Sequence, residues 1–161
     1  MANRLLLIRH GEAVDAGPDV NDGGRWLTAH GRAETARTGK YLQGHPPTAL
    51  ITSPLVRAVQ TAEIVATFAT PDGPITVLPA LALGDVAAIV RFVAAWSGDG
   101  HPALVGHEPT LSEVVVALLK HRRWPGFEKS AAVALAREGE VWRFEWMFLP
   151  SSGATTTHIP G

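Results

Sequence analysis

Leu5-Leu6-Leu7-Ile8 is an unbroken aliphatic run that stops abruptly at Arg9-His10-Gly11-Glu12. Consecutive apolar residues want cover on both faces, the situation of a central strand in a parallel sheet. Arg9 and His10 emerge where that strand stops, and Gly11 lets the backbone turn sharply beside them. Further along, apolar segments of strand length alternate with segments of helical period. Thr48 to Thr52 is predicted as a second strand, Ile75 to Leu78 as a third and Pro102 to Gly106 as a fourth, ending at His107. Between them, Thr28 can cap a helix running to about Gln43, with Gly44 as its stop. Ser53-Pro54 reads as a helix start with Leu55, Val59, Ala62 and Ala66 on one face. Asp85 opens a helix whose buried stripe is Val86, Ile89, Val90 and Val93. Thr110-Leu111-Ser112-Glu113 has the form of a capping box ahead of the stripe Leu111, Val114, Val115, Leu118 and Leu119.

The C-terminal third changes period. A fifth strand is predicted over about Ala131 to Leu135, turned at Glu138-Gly139 into a sixth. In that sixth strand Trp142, Phe144, Trp146 and Phe148 alternate with Arg143, Glu145 and Met147, which predicts one buried aromatic face rather than a binding platform. Pro71 to Pro74 is a turn, and Asp15 to Gly24, rich in Gly, Asp and Asn, is a loop leaving the first strand, either a flap over a ligand or a plain connection. The alternation predicts an α/β sandwich with a mainly parallel sheet covered on both faces. One domain over residues 1–150 is expected, followed by a flexible tail at 151–161.

Composition narrows the function classes. At 161 residues, 46% hydrophobic and 18% charged, the chain is long enough for a proper core and is not disordered. A formal charge of -1 argues against a nucleic-acid binder built on a general basic field. There is no cysteine, hence no disulfide, thiol nucleophile or thiolate metal site, which suits a cytoplasmic protein. The N-terminal apolar run is too short for a signal-peptide core, and no stretch approaches the roughly 20 apolar residues of a membrane span. A monomer is expected.

In open α/β sheets ligands sit past the carboxyl ends of the strands. Arg9, His10, Arg57 and His107 should converge there. Two guanidiniums beside a helix end define an anion site. A zinc site is the rival reading for two histidines with Glu12 and Glu108 nearby, but neighbouring guanidiniums would repel a divalent cation. If the anion is a phosphoryl group, an imidazole in line with phosphorus can attack it and form a phosphohistidine. The second histidine and the arginines would hold the equatorial oxygens. His30, His45, His101, His121 and His158 carry no partner signal and are read as structural. Lys120, His121, Arg122 and Arg123 read as a solvated helix end or as a docking patch for an acidic protein.

These residues resemble the histidine phosphatase superfamily, whose signature is an Arg-His-Gly triplet after the first strand. Arg9-His10-Gly11-Glu12-Ala13, then Arg25-Trp26-Leu27-Thr28 with Gly31, Thr52-Ser53-Pro54 with Arg57-Ala58 and Gln60-Thr61-Ala62, and Val105-Gly106-His107-Glu108-Pro109 are similar to its small SixA-like branch. The resemblance spans roughly residues 4–148. It implies a phosphoglycerate mutase-like, three-layer α/β/α sandwich of six strands with one antiparallel, and places the fourth strand beside the first. It implies His10 as the nucleophile, with Arg9, Arg57 and His107 completing the phosphate pocket, no cofactor and no metal. Asp22 and Arg25 fit the family pattern and are read as pinning the loop.

One departure bears on substrate. Many members carry a carboxylate general acid after the third strand, yet Leu78 to Gly84 holds none, and Asp85, Glu12 and Glu108 are weak candidates. The SixA-like branch is similar in lacking an evident acid. An imidazole leaving group titrates near pH 6.5 and needs less proton assistance than an alkoxide. The expected activity is therefore hydrolysis of phosphohistidine, on a phosphorylated protein such as a histidine phosphotransfer domain or on a small molecule. A phosphatase of small phosphate monoesters and a silent anion-binding or docking module are the alternatives.

Overall fold

In a computed structural model the described residues are 3–70, 72–97, 100–121 and 123–161. Pro71, first residue of the expected turn, and Arg122, in the basic run, lie outside them. The elements follow the order β1 (Arg4–Arg9), α1 (Ala29–Leu42), β2 (Ala49–Thr52), α2 (Val56–Ala69), β3 (Ile75–Val77), α3 (Ala80–Leu83), α4 (Val86–Ala94), β4 (Pro102–Gly106), α5 (Thr110–Leu119), β5 (Ala132–Glu138), β6 (Val141–Leu149) and β7 (Ala154–Thr156). A single 3-10 turn, Asp22–Gly24, interrupts the loop between β1 and α1.

The sheet runs β3-β2-β4-β1-β5-β6-β7. β3, β2, β4 and β1 are parallel, β5 is antiparallel to β1, and β6 and β7 continue antiparallel to their neighbours. The six strands expected from the sequence are present, with β5 the antiparallel one, and β7 adds a seventh. Residues 154–156, within the segment expected to be a flexible tail, form that strand by pairing with β6.

Alternate residues of β1 serve two cores. Leu5 and Leu7 pack with Leu81, Ile89, Val93, Leu111, Val114 and Val115 from α3, α4 and α5. Leu6 and Ile8 pack with Leu42 of α1 and Ala58, Ala62 and Val65 of α2. Helices therefore cover both faces of a strand that is apolar on both faces, giving the three layers. Among the described residues no helix is long and apolar enough to cross a membrane.

Two local expectations are corrected. The aromatics of β6 do not share one face. Leu135 pairs with Phe144 and Ala134 with Trp146, so Glu145 is an extra residue, a β-bulge. The bulge moves the alternation by one place: Trp142 and Phe144 join the α3–α5 side, whereas Trp146 and Phe148 join the α1–α2 side. There Phe148 stacks on Tyr41 at 4.2 Å between centroids. Glu145 itself pairs with Arg4 across the sheet, Nε to Oε2 at 2.6 Å. Leu78 to Gly84, expected as a loop, contains α3, which Gly84 ends in the left-handed region at φ 69°.

α1 is drawn tightly over the end of β1. Thr28 caps it by accepting from Gly31 N–H at 3.0 Å, and Thr28 N–H donates to the Glu12 carbonyl at 3.0 Å. A Cβ on Gly31 would land inside contact distance of that same carbonyl oxygen. Replacing glycine by alanine inside a helix ordinarily gains up to about 1 kcal/mol. Here the sign should reverse: Gly31→Ala is expected to lose about 1–3 kcal/mol through overpacking. The check is urea unfolding, with a lowered midpoint at unchanged slope; an unchanged or raised midpoint contradicts the packing described.

Candidate active site

β1 and β4 are adjacent and parallel, with Arg9 opposite Gly106 as their last paired residues. The next amide continues the ladder, since His10 N–H donates to the Gly106 carbonyl at 3.0 Å. His10 and His107 thus leave neighbouring strands at the same level, with ring centroids 5.1 Å apart. Both are buried, at 7% and 9% exposed.

Each ring is held by one nitrogen. His10 Nδ1 lies 2.7 Å from the Gly11 carbonyl oxygen. A carbonyl can only accept, so Nδ1 carries the proton and Nε2 keeps its lone pair. Burial pushes the His10 pKa down to about 3, with the Gly11 carbonyl opposing and His107, Arg57 and Arg9 adding to the depression. His107 is pushed down to about 4, first by burial and then by Arg57, with Asp22 opposing. At neutral pH both rings are uncharged. His107 Nε2 sits 2.6 Å from Ser53 Oγ, and His107 Nδ1 is buried without a partner among the described residues.

The arginines come from different elements. Arg9 ends β1 and donates from Nη1 to the Phe127 carbonyl at 2.8 Å. Burial lowers its pKa, with Glu108 opposing. Arg57, 7% exposed, sits in the first turn of α2. Its Nη1 donates to the Asp22 carbonyl at 2.7 Å and its Nη2 to Asp22 Oδ2 at 3.3 Å. Asp22 also accepts from Arg25 at 3.2 Å, and Arg25 followed by Arg57 holds its carboxyl below the usual range. The 3-10 turn of the loop is therefore pinned to α2 through Asp22. Nε of both Arg9 and Arg57 is buried without a partner among the described residues.

Behind the site lies a set of buried hydroxyls. Ser130, at φ 63°, donates its amide to the carbonyls of Arg9 and His10 at 3.1 and 3.2 Å. Thr35 Oγ1 is 2.9 Å from Ser130 Oγ, and Thr38 Oγ1 donates to the Ser130 carbonyl at 2.7 Å. A Cβ on Gly11 would come within 2.6 Å of Thr35 Oγ1, so glycine is required where the chain passes this cluster.

Arg9, His10, Arg57 and His107 are thus brought together, as the sequence predicts. The candidate acids are engaged elsewhere. Glu12 Oε2 accepts from Thr28 Oγ1 at 2.6 Å, and Asp85 caps α4 through Ala88 N–H at 3.0 Å. Glu108 accepts from Ser112 N–H at 3.0 Å and from Ser112 Oγ at 2.6 Å. That last contact corrects the expected capping box: α5 starts after Pro109 with no side-chain cap from Thr110, and Glu108 satisfies its first turn. Ser53 is likewise not the cap of α2, which begins after Leu55, two residues later. Sequence reasoning placed Ser53 at a helix end and overlooked its contact with His107; the only signal was its place in the Thr-Ser-Pro motif.

A buried guanidinium, Arg57, and a half-buried one, Arg9, beside two neutral imidazoles could hold an anion with several oxygens. Among the described residues no group of three or more His, Cys, Asp or Glu could hold a metal ion. His30 lies beside Glu34 on α1 and His45 packs on Tyr41 and Trp146.

Comparisons with known proteins agree on one group. A family model described as Histidine phosphatase superfamily (branch 1) matches residues 5–82. An uncharacterized protein of Picosynechococcus sp. is 35% identical over 118 residues, 71% of this chain and 72% of the relative. The structure is similar to that of the protein histidine phosphatase SixA complexed with tungstate, at TM-score 0.84 and 26% identity over 92% of this chain and 98% of that one. A chain named as SixA from Agrobacterium tumefaciens gives TM-score 0.81 at 24% identity, over the same 92% and 98%.

The depressed histidine pKa values have a sign. A histidine lowered in the folded state takes up its proton first in the unfolded chain, so folding stability is complete above about pH 6.5 and falls as pH drops toward about 4 and about 3. In ligand-free protein the ring signals of His10 and His107 should stay unmoved from pH 8 to 5 in an NMR titration. A midpoint near 6.5 for either ring would contradict the burial described.

Proposed function

The chain is a phosphatase of the histidine phosphatase superfamily, in its SixA-like branch, and on that premise we propose that it hydrolyses phosphohistidine through a covalent intermediate on His10. The observation that carries this reading is the state of His10: Nδ1–H is held by the Gly11 carbonyl, leaving an uncharged Nε2 lone pair beside His107 within the fields of Arg57 and Arg9. The similar SixA structure is complexed with tungstate, a tetrahedral oxyanion, which supports an oxyanion as the ligand class.

In the first step Nε2 attacks phosphorus in line. The N–P bond of the substrate breaks, its electron pair stays on the departing imidazole, and that imidazole takes a proton from solvent. Arg9, Arg57 and His107 hold the equatorial oxygens as charge redistributes. In the second step water attacks the phosphoryl group on His10, the Nε2–P bond breaks, and inorganic phosphate leaves. The hydrogen bond from Nδ1 to Gly11 orients the ring in both steps. Charge is balanced by the guanidiniums, so the reaction needs no metal.

A phosphorylated protein is the proposed substrate, in a cytoplasmic setting and with the phosphatase acting as a monomer. The N–P bond is favoured on leaving-group grounds, because no carboxylic acid stands free to protonate an alkoxide among Glu12, Glu108 and Asp85.

The test is a panel of substrates with trapping of the phosphoenzyme under an acid-sparing quench. A phosphohistidine protein should turn over faster than sugar or nucleotide phosphates, with label retained on His10. His10→Ala should abolish both label and phosphate release. Arg9→Ala or Arg57→Ala should each lower turnover about 100- to 1,000-fold, the cost of losing one oxyanion donor. Phosphate release at the original rate from His10→Ala would overturn the mechanism, and preference for small monoesters would overturn the substrate.

A further inference from the structure

Ser53 lies where β2 gives way to α2 and is fully buried. Its amide donates to the Val105 carbonyl at 3.0 Å, which ties it to β4 just before His107. Its Oγ accepts from Leu55 N–H at 3.2 Å and stands 2.6 Å from His107 Nε2. A hydroxyl has one proton and two lone pairs. The Leu55 amide takes one lone pair, and among the described residues the only acceptor Oγ meets is His107 Nε2. Were His107 to donate from Nε2 instead, the hydroxyl proton would be left buried without an acceptor. The ring's other nitrogen, Nδ1, would then carry a bare lone pair, which repels a phosphoryl oxygen rather than holding it. A buried polar group left unsatisfied in this way is destabilising.

We propose that Ser53 is a positioning residue: its hydroxyl donates to His107 Nε2, fixes the neutral ring as the Nδ1–H tautomer, and so aims an N–H at a phosphoryl oxygen lying against His10. The orphaned, buried Nδ1 is the atom left for that oxygen. The inference rests on the phosphoryl-transfer reading above for what the N–H faces.

The tautomer can be read without substrate, from nitrogen-resolved imidazole spectra of the full-length, phosphate-free protein at neutral pH. His107 should show a protonated Nδ1 and a bare Nε2. In Ser53→Ala the ring should shift toward Nε2–H. Turnover and orthovanadate affinity should then fall about 10- to 100-fold, as when a histidine ligand loses the partner that orients it. A wild-type ring carrying its proton on Nε2 would overturn the inference. So would a Ser53→Ala protein with unchanged tautomer and turnover. The two readings fail separately: if phospho-His10 never forms, the proposed reaction falls whatever the spectrum shows. If it forms while His107 carries Nε2–H, only the role of Ser53 falls.

Discussion

The parallel ladder between β1 and β4 sets everything else. Its pairs run from Leu6 opposite Ala103 to Arg9 opposite Gly106, and the His10 amide adds one more bond to Gly106. A slip of one residue would turn each side chain of β1 to the opposite face. Leu5 and Leu7 would then exchange cores with Leu6 and Ile8, and His10 would no longer stand level with His107. The register is fixed by burial on two faces, so the same apolar contacts that stabilise the sheet also set the distance between the imidazoles. Function and stability are coupled at this one pair of strands.

The site built on that register is unbalanced on purpose of chemistry rather than of stability. Arg9 and Arg57 are partly satisfied by carbonyls of Phe127 and Asp22, with Asp22 and Glu108 opposing charge nearby. The imidazoles stay neutral, first through burial and then through the neighbouring guanidiniums. An arriving phosphoryl group would bring the negative charge that the site lacks, and its field would oppose the fields of both guanidiniums at His107. Desolvation would persist, but the cationic repulsion that adds to it would be offset. His107 is therefore easier to protonate with the anion present than without it, which aligns its charge with the moment of need.

The parts of this arrangement visible in the sequence are those dictated by burial and by short-range backbone rules. Leu5 to Ile8 announces a central strand, Thr28 and Asp85 announce helix starts, and the spacing of Arg9-His10-Gly11 from Arg57 and Gly106-His107 announces an anion site. The parts not visible depend on contacts between residues far apart in the chain. The bulge at Glu145 goes with a contact between that carboxylate and Arg4, 141 positions away; period-two spacing alone cannot report it. Ser53 looks like any helix-starting serine until β4 brings His107 within 2.6 Å. Glu108, read as a weak acid candidate, takes over the cap that Thr110 was expected to need. β7 exists because β6 offers it an edge, a reason absent from the composition of residues 151–161.

Carboxylates near the site all act as acceptors, and that constrains the chemistry more than any single distance. Glu12 receives a hydroxyl proton from Thr28, Glu108 an amide and a hydroxyl from Ser112, Asp85 an amide from α4, and Asp22 the forks of Arg57 and Arg25. For Asp22 the two guanidiniums also lower the pKa, which opposes its service as a proton donor near neutral pH. A group that accepts two charged donors must lose both geometry and favourable field before it can hand over a proton. A leaving group that departs as an imidazole asks for less such help, since imidazole titrates near pH 6.5 whereas an alkoxide is far more basic. Under the proposed reaction, a site without a free acid would favour phosphoryl donors whose leaving group is weakly basic.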